Sequence, residues 1–240
     1  QMGGEVSVDR VGGYTVNVSG SAFNSTYFWR ELNRDDKRGK AQAGSPDTPF
    51  DTPLRLRASF DRMWLTKNTD FTNVSLNFDR DYTGIQTIDF ASNVDGTTPF
   101  TFNLSSEAGP RTFTGSSADG GSVVRAIGLF SDIVGGELQI SGELAADGTV
   151  NGVAEIKDFK LVQAPVLARL LSVASLTGIV DELRGKGISF KILRVPFSYA
   201  NATLTIRDGE MYGSSLGLTG RGTYSFNSAL MNFDGTLIPA

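Results

Sequence analysis

The feature that most constrains this chain is an alternation of period two that runs along most of its length. Tyr14, Val16 and Val18 are separated by Thr15 and Asn17, and Leu54, Leu56, Ala58 and Phe60 by Arg55, Arg57 and Ser59. Val74, Leu76 and Phe78 alternate with Ser75 and Asn77, and Phe100, Phe102 and Leu104 with Thr101 and Asn103. The pattern returns with Leu204 and Ile206, Leu216 and Leu218, Tyr224 and Phe226, then Met231 and Phe233. Successive side chains of an extended strand point to opposite sides, so these segments predict strands with one apolar face and one wet face. Strands wet on one side belong to antiparallel sheets, because parallel strands are covered on both faces and read as continuous apolar runs. Asp95-Gly96, Asp147-Gly148 and Asp208-Gly209 each separate two such runs, and Asp-Gly supplies the positive φ that tight hairpin turns require. The expectation is a mainly β chain built as a meander of hairpins.

Three helical segments interrupt the alternation. The first, Ser25–Asn33, has Asn24 or Ser25 as N-cap and places Phe28 and Leu32 on one face. The second, Gly121–Phe130, follows Asp119 as a cap and aligns Val123, Ile127 and Phe130. The third is Ala164–Val180, in which Pro165 suits a first helical turn, Gly178 divides the helix and Gly185 suits its end. Between the first helix and the following strand, residues 34–53 are polar and Pro-rich and read as an exposed, mobile loop. No second domain boundary is visible, so residues 1–240 read as one domain, and the chain is expected to be a segment of something longer.

Composition closes several routes to function. There are no Cys and no His, which removes disulfides, thiolate sites, Cys nucleophiles and the commonest general base. The formal charge of -4, with one interrupted basic cluster at Arg34–Lys40, predicts no nucleic-acid partner. Asp79 with Asp81, and Asp181 with Glu182, are the acid pairs that could be examined for glycosidase chemistry, but adjacent acids are ordinarily solvated charges. The Asp-Gly pairs lack the further acids of a calcium loop, and Gly213–Gly222 lacks a phosphate-loop ending. The expectation is no enzyme, no catalytic residue, no metal and no cofactor. Five Asn-x-Ser/Thr triplets fall largely within strands and read as the composition of a polar β face.

A sheet with one apolar face needs a cover: a second sheet, helices or an apolar ligand. Three short helices are few for such a sheet, which leaves two readings. It closes on itself as a sandwich, or it curls into a groove that holds something apolar. The stretch Ala164–Val180 does not add a membrane span, since Pro165, Arg169 and Gly178 interrupt a run shorter than the roughly 20 residues a span needs. It reads as an apolar helix lying on the sheet.

The block from Asp119 onward carries a resemblance. "VVRAIGLF" followed by "GGEL", the helix "PVLARLLSVASL", and the closing unit around "LTIRDG" and "LGLTGRGTYSF" resemble the C-terminal region of AsmA-like proteins of Gram-negative bacteria. The resemblance covers residues 119–240. It implies a long, highly twisted antiparallel sheet curled, taco-like, into an apolar groove. It further implies a bridge-like lipid-transfer protein of the periplasm, anchored to the inner membrane through an N-terminal helix that this segment lacks. Phospholipid acyl chains would be the partner, carried between inner and outer membrane in support of outer-membrane biogenesis. The alternative is a closed β-sandwich scaffold or interaction module of the envelope, with no lipid cargo. On the groove reading, the lining residues are Leu76, Phe78, Phe100, Phe102, Leu104, Leu138, Ile140, Ile156, Leu204, Ile206, Leu216, Leu218, Phe226 and Phe233. Leu167, Leu170, Leu171, Leu176 and Ile179 belong to the groove helix. The sequence fixes no oligomeric state.

Overall fold

The computed structural model describes residues 4–9, 12–26, 52–66, 70–106, 110–173 and 177–239. The expected helix at Ser25–Asn33 and the loop at 34–53 fall almost wholly outside the described residues. The strands are β1 (Gly4–Asp9), β2 (Tyr14–Asn24), β3 (Leu54–Trp64), β4 (Asp70–Asp81), β5 (Gly84–Val94), β6 (Thr98–Ser105) and β7 (Arg111–Ser117). They continue with β8 (Ile133–Leu144), β9 (Val150–Leu161), β10 (Ile188–Ala200), β11 (Thr203–Gly213), β12 (Leu216–Ser225) and β13 (Leu230–Pro239). The helices are α1 (Gly120–Ala126), α2 (Pro165–Val173) and α3 (Thr177–Arg184).

All strands belong to a single 13-stranded sheet whose spatial order is the chain order, β1 to β13. Every pairing is antiparallel except that of β2 with β3, which is parallel over Tyr14↔Leu54 to Asn24↔Trp64. The uniformly antiparallel expectation is therefore corrected to a mixed sheet. The reason lies in the connection: 25–53 is long enough to carry the chain back to the strand's starting end, which a hairpin never does.

Three further expectations need correction. α1 starts where Asp119 caps it, its carboxylate accepting from the Ser122 N–H at 3.0 Å, but it ends at Ala126 and not at Phe130. Gly128, at φ +78, donates to the Arg125 carbonyl and closes the helix in a left-handed cap. The described residues of the Ala164–Val180 stretch form two helices, α2 and α3, and Gly178 stands in the first turn of α3. Asp208-Gly209 is not a turn; it sits inside β11, where the register shifts between Ile206 and Gly209. Gly209 does not adopt positive φ, and what it supplies is closeness: a Cβ there would lie 3.1 Å from the Gly220 carbonyl oxygen. The turn between the two alternating runs is Ser214-Ser215, joining β11 to β12, while the β10–β11 turn at Asn201-Ala202 has both residues at positive φ without a glycine.

The register carries one apolar face across the whole sheet. Val18, Ala58, Leu76, Phe90 and Phe102 stand opposite one another on β2 to β6. Ile140, Ala154, Val195 and, beyond the bulges, Met211 and Leu218 continue the face. Among the described residues the helices cover it at one end. Val123 and Ala126 of α1, Leu167 and Leu171 of α2, and Val180 and Leu183 of α3 pack with Phe71, Val94, Leu138, Phe159, Ile188, Phe190 and Leu216. Most of that cluster is at most 5% exposed, which makes it the hydrophobic core of the chain.

The long, curled, taco-like groove is not found. β1 and β13 are two separate edges, no strand pairs outside its sequence neighbours, and the sheet is neither closed nor strongly curled. The closed-sandwich alternative fails on the same ground, since all strands lie in one layer. Two features make burial possible without closure: the helical cap at one end, and aromatic rings lying along the sheet over glycines at its centre. Phe113 lies over Gly142 and Gly152, Phe197 over Gly152, and Phe102 over Gly115.

Candidate functional site

The surface that calls for a function is the half of the apolar face farther from the helices. Its rows are set by the hairpin register: Leu56, Phe78 and Ile88, then Leu144 and Val150, then Tyr199, Leu204, Tyr224 and Met231. All but Met231 are half-buried, and Met231 is 57% exposed. Among the described residues no helix lies over this half. Its rings shield one another sideways. Phe102 stacks on Phe113 at 5.6 Å between centroids, and Phe226 meets Tyr199 and Tyr224 edge-on at 5.8 and 4.9 Å.

The residues expected to line a groove fall into three groups on this face. Phe100, Leu104, Leu138, Ile156 and Leu216 are buried. Leu76, Phe78, Phe102, Ile140, Leu204, Ile206, Leu218 and Phe226 are half-buried, and Phe233 on β13 is 42% exposed. Leu167 and Leu171 pack in the core beneath the helices, at 7% and 0% exposure. The side chains of Leu170 and Ile179, and Leu176 altogether, lie outside the described residues. With the sheet open, these side chains make a surface, and a sheltered track for lipid tails between two membranes has no structural basis. The bridge-like β-groove role is therefore withdrawn.

Among the candidate acids, Asp79 and Asp81 serve separate structural contacts. Asp79 accepts from Arg55 Nε at 3.0 Å and Arg57 Nη2 at 3.2 Å on the polar face. Asp81 instead ties the β4–β5 turn, accepting from the Thr83 hydroxyl at 2.6 Å, the Thr83 N–H at 2.7 Å and Gln86 Nε2 at 3.0 Å. The Thr83 contacts hold its carboxyl below the ordinary carboxylate range. Asp181 is exposed on α3.

One polar cluster was visible in the sequence only in part. The Ser122 hydroxyl, fully buried, lies between the carboxylates of Asp119, at 2.7 Å, and Asp95, and donates its proton to one of them. Asp119 was legible as a cap; Asp95 was legible only as a turn residue. The contact pins the β5–β6 hairpin to α1. Among the described residues no group of acids is arranged to hold a metal ion.

Fold and surface together define a mainly β protein made of one open, mixed sheet, on whose apolar face the described helices cap one end. No family model, curated protein or solved structure matches the chain.

Proposed function

We propose that this chain is a non-catalytic contact module of a cell-envelope protein, which meets phospholipid acyl chains on an open apolar surface. The observation that carries the reading is the half-face of Phe78, Ile88, Leu204 and Tyr224, over which no described helix lies, backed by an opposite face that is mostly polar. Apolar area left in water costs about 25 cal/mol per Å², so a surface spanning many strands favours an apolar cover. A net charge of -4 disfavours an anionic headgroup layer as the attracting element, which leaves the acyl chains. AsmA-like membership and a periplasmic site belong to the same proposal and rest on the sequence resemblance. The reading needs no groove and includes no transport.

The test is photo-crosslinking of the intact chain with phosphatidylcholine vesicles, from a photoreactive residue at Phe78 or Leu204 and, in parallel, at Asn77 or Thr205 on the opposite face. Lipid adducts from the first pair and none from the second are expected. Adducts from neither pair, or equally from both, would overturn the reading.

A further inference from the structure

The polar face of the sheet is not uniform in how it uses its charges. On β3 and β4, Arg55 and Arg57 converge on Asp79, and Arg62 pairs with Asp70 at 2.7 Å. On β11 to β13 the behaviour differs. Arg221 stands directly opposite Asp234 in the register. Arg207 and Asp208 occupy the bulge between Ile206 and Gly209. Yet among the described residues these four side chains form no ion pair. They surround two adjoining concavities of about 480 and 380 Å³, and Asn232 lines the first of them. A β-bulge re-aims the side chains it carries, and here it turns a guanidinium and a carboxylate toward the same hollow.

From this arrangement we infer a binding site for a neutral oligosaccharide, on the face opposite the proposed lipid surface. The mix of charges narrows the ligand. Two guanidinium groups stand among the carboxylates of Asp208, Asp234 and, lining the second hollow, Glu210, so the two signs are interleaved and the small negative excess gives an anionic ligand no advantage. A sugar hydroxyl both donates and accepts, and the set offers donors (Arg207, Arg221), acceptors (Asp208, Asp234) and an amide that does both (Asn232). Charged partners make such hydrogen bonds stronger than neutral ones.

The apolar faces of sugar rings need an aromatic platform, and Tyr212 supplies one. It is 45% exposed on the same face, lies against Gly217, and has its hydroxyl donated to Glu210 at 2.9 Å. That bond and the Glu210 charge raise the Tyr212 pKa, so the ring stays neutral. Gly217, opposite Tyr212, is four residues from Arg221 along β12, a separation of about 13 Å at the rise of a strand. A single ring does not span it, so the ligand is an oligomer.

The test uses the intact chain with maltohexaose, cellohexaose and chitohexaose, by calorimetry and backbone amide shift mapping, with hexagalacturonate as the anionic comparison. At least one neutral hexasaccharide should bind with a Kd of about 1 mM or below and shift amides of β11 to β13. Tyr212→Ala and Arg221→Ala should each weaken it about tenfold while leaving the melting temperature unchanged, and Tyr212→Phe should retain most of the affinity. No binding of any neutral hexasaccharide at about 10 mM, shifts confined to other strands, or binding of the galacturonate alone would overturn the inference. Lipid crosslinking from Phe78 or Leu204 reads the opposite face, so the two proposals fail separately.

Discussion

At the scale of single residues, the backbone pays most visibly in the turns without glycine. Ala229, in the loop joining β12 to β13, has φ +53 and is exposed. An L-residue with a Cβ is held in the left-handed region at a cost of about 1 kcal/mol, and nothing packs on the Ala229 methyl to compensate. Ala229→Gly should therefore stabilise the chain by about 0.5 kcal/mol once the greater freedom of glycine in the unfolded state is counted. Ala202 is the control. It has the same φ of +53 but is only 6% exposed, so its methyl belongs to the packing and Ala202→Gly should bring no gain. Urea unfolding of both variants distinguishes the cases, and equal gains would show that burial of the Ala202 methyl contributes nothing.

At the scale of elements, the sheet's smoothness depends on rings and glycines being matched across strands. Gly142 and Gly152 face each other in the β8–β9 register, and a Cβ at Gly152 would lie 2.9 Å from Phe197 Cζ and 3.0 Å from Phe113 Cζ. Neither glycine needs its conformational freedom, so the constraint is steric. Gly152→Val, whose side chain is otherwise favoured in strands, should destabilise by about 1–3 kcal/mol because two rings must leave their places. If Gly152→Val proves neutral in the same unfolding assay, the rings do not lie as described.

The same pairing marks the boundary of what the sequence conveys. Alternation identified β2, β3, β4, β6, β11, β12 and β13 and their apolar sides, because a period of two is a property of each strand alone. Asp95-Gly96 and Asp147-Gly148 marked real hairpins because their glycines do adopt φ +78 and +84. Asp208-Gly209 misled because its glycine serves close approach, a tertiary demand that leaves no local signature. The curvature of the sheet, and so the groove, was not legible for a related reason. Whether a face with alternating apolar residues curls, doubles over or stays open depends on what lies across from each side chain. Phe113 over Gly142 is known only once the register is fixed.

For the whole molecule, a sheet in strict sequence order behaves almost one-dimensionally, each strand leaning on its two neighbours as repeats do in a solenoid. Stability should then follow local burial and fall away toward both edges. The densest packing is at β8 to β10, where Ile133, Leu138, Ile156, Phe159, Leu161, Ile188 and Phe190 are all at most 5% exposed and the helices lie above. At the far edge, β13 carries Leu230, Met231 and Ile238 at 70%, 57% and 56% exposure and pairs on one side only. β1 is the other edge, and β2 is joined to β3 through the long 25–53 connection, whose closure costs more entropy than a hairpin's. Native-state hydrogen exchange should show the slowest amides in β8 to β10, intermediate rates in β4 to β7, and the fastest among paired strands in β1 and β13. Leu183→Ala, which opens a cavity under α3 where the side chain is 0% exposed, should cost about 2–5 kcal/mol and speed exchange in β9 and β10 well before it reaches β2. Uniform exchange across all strands, with the substitution accelerating every strand equally, would show instead that the sheet opens as one cooperative unit.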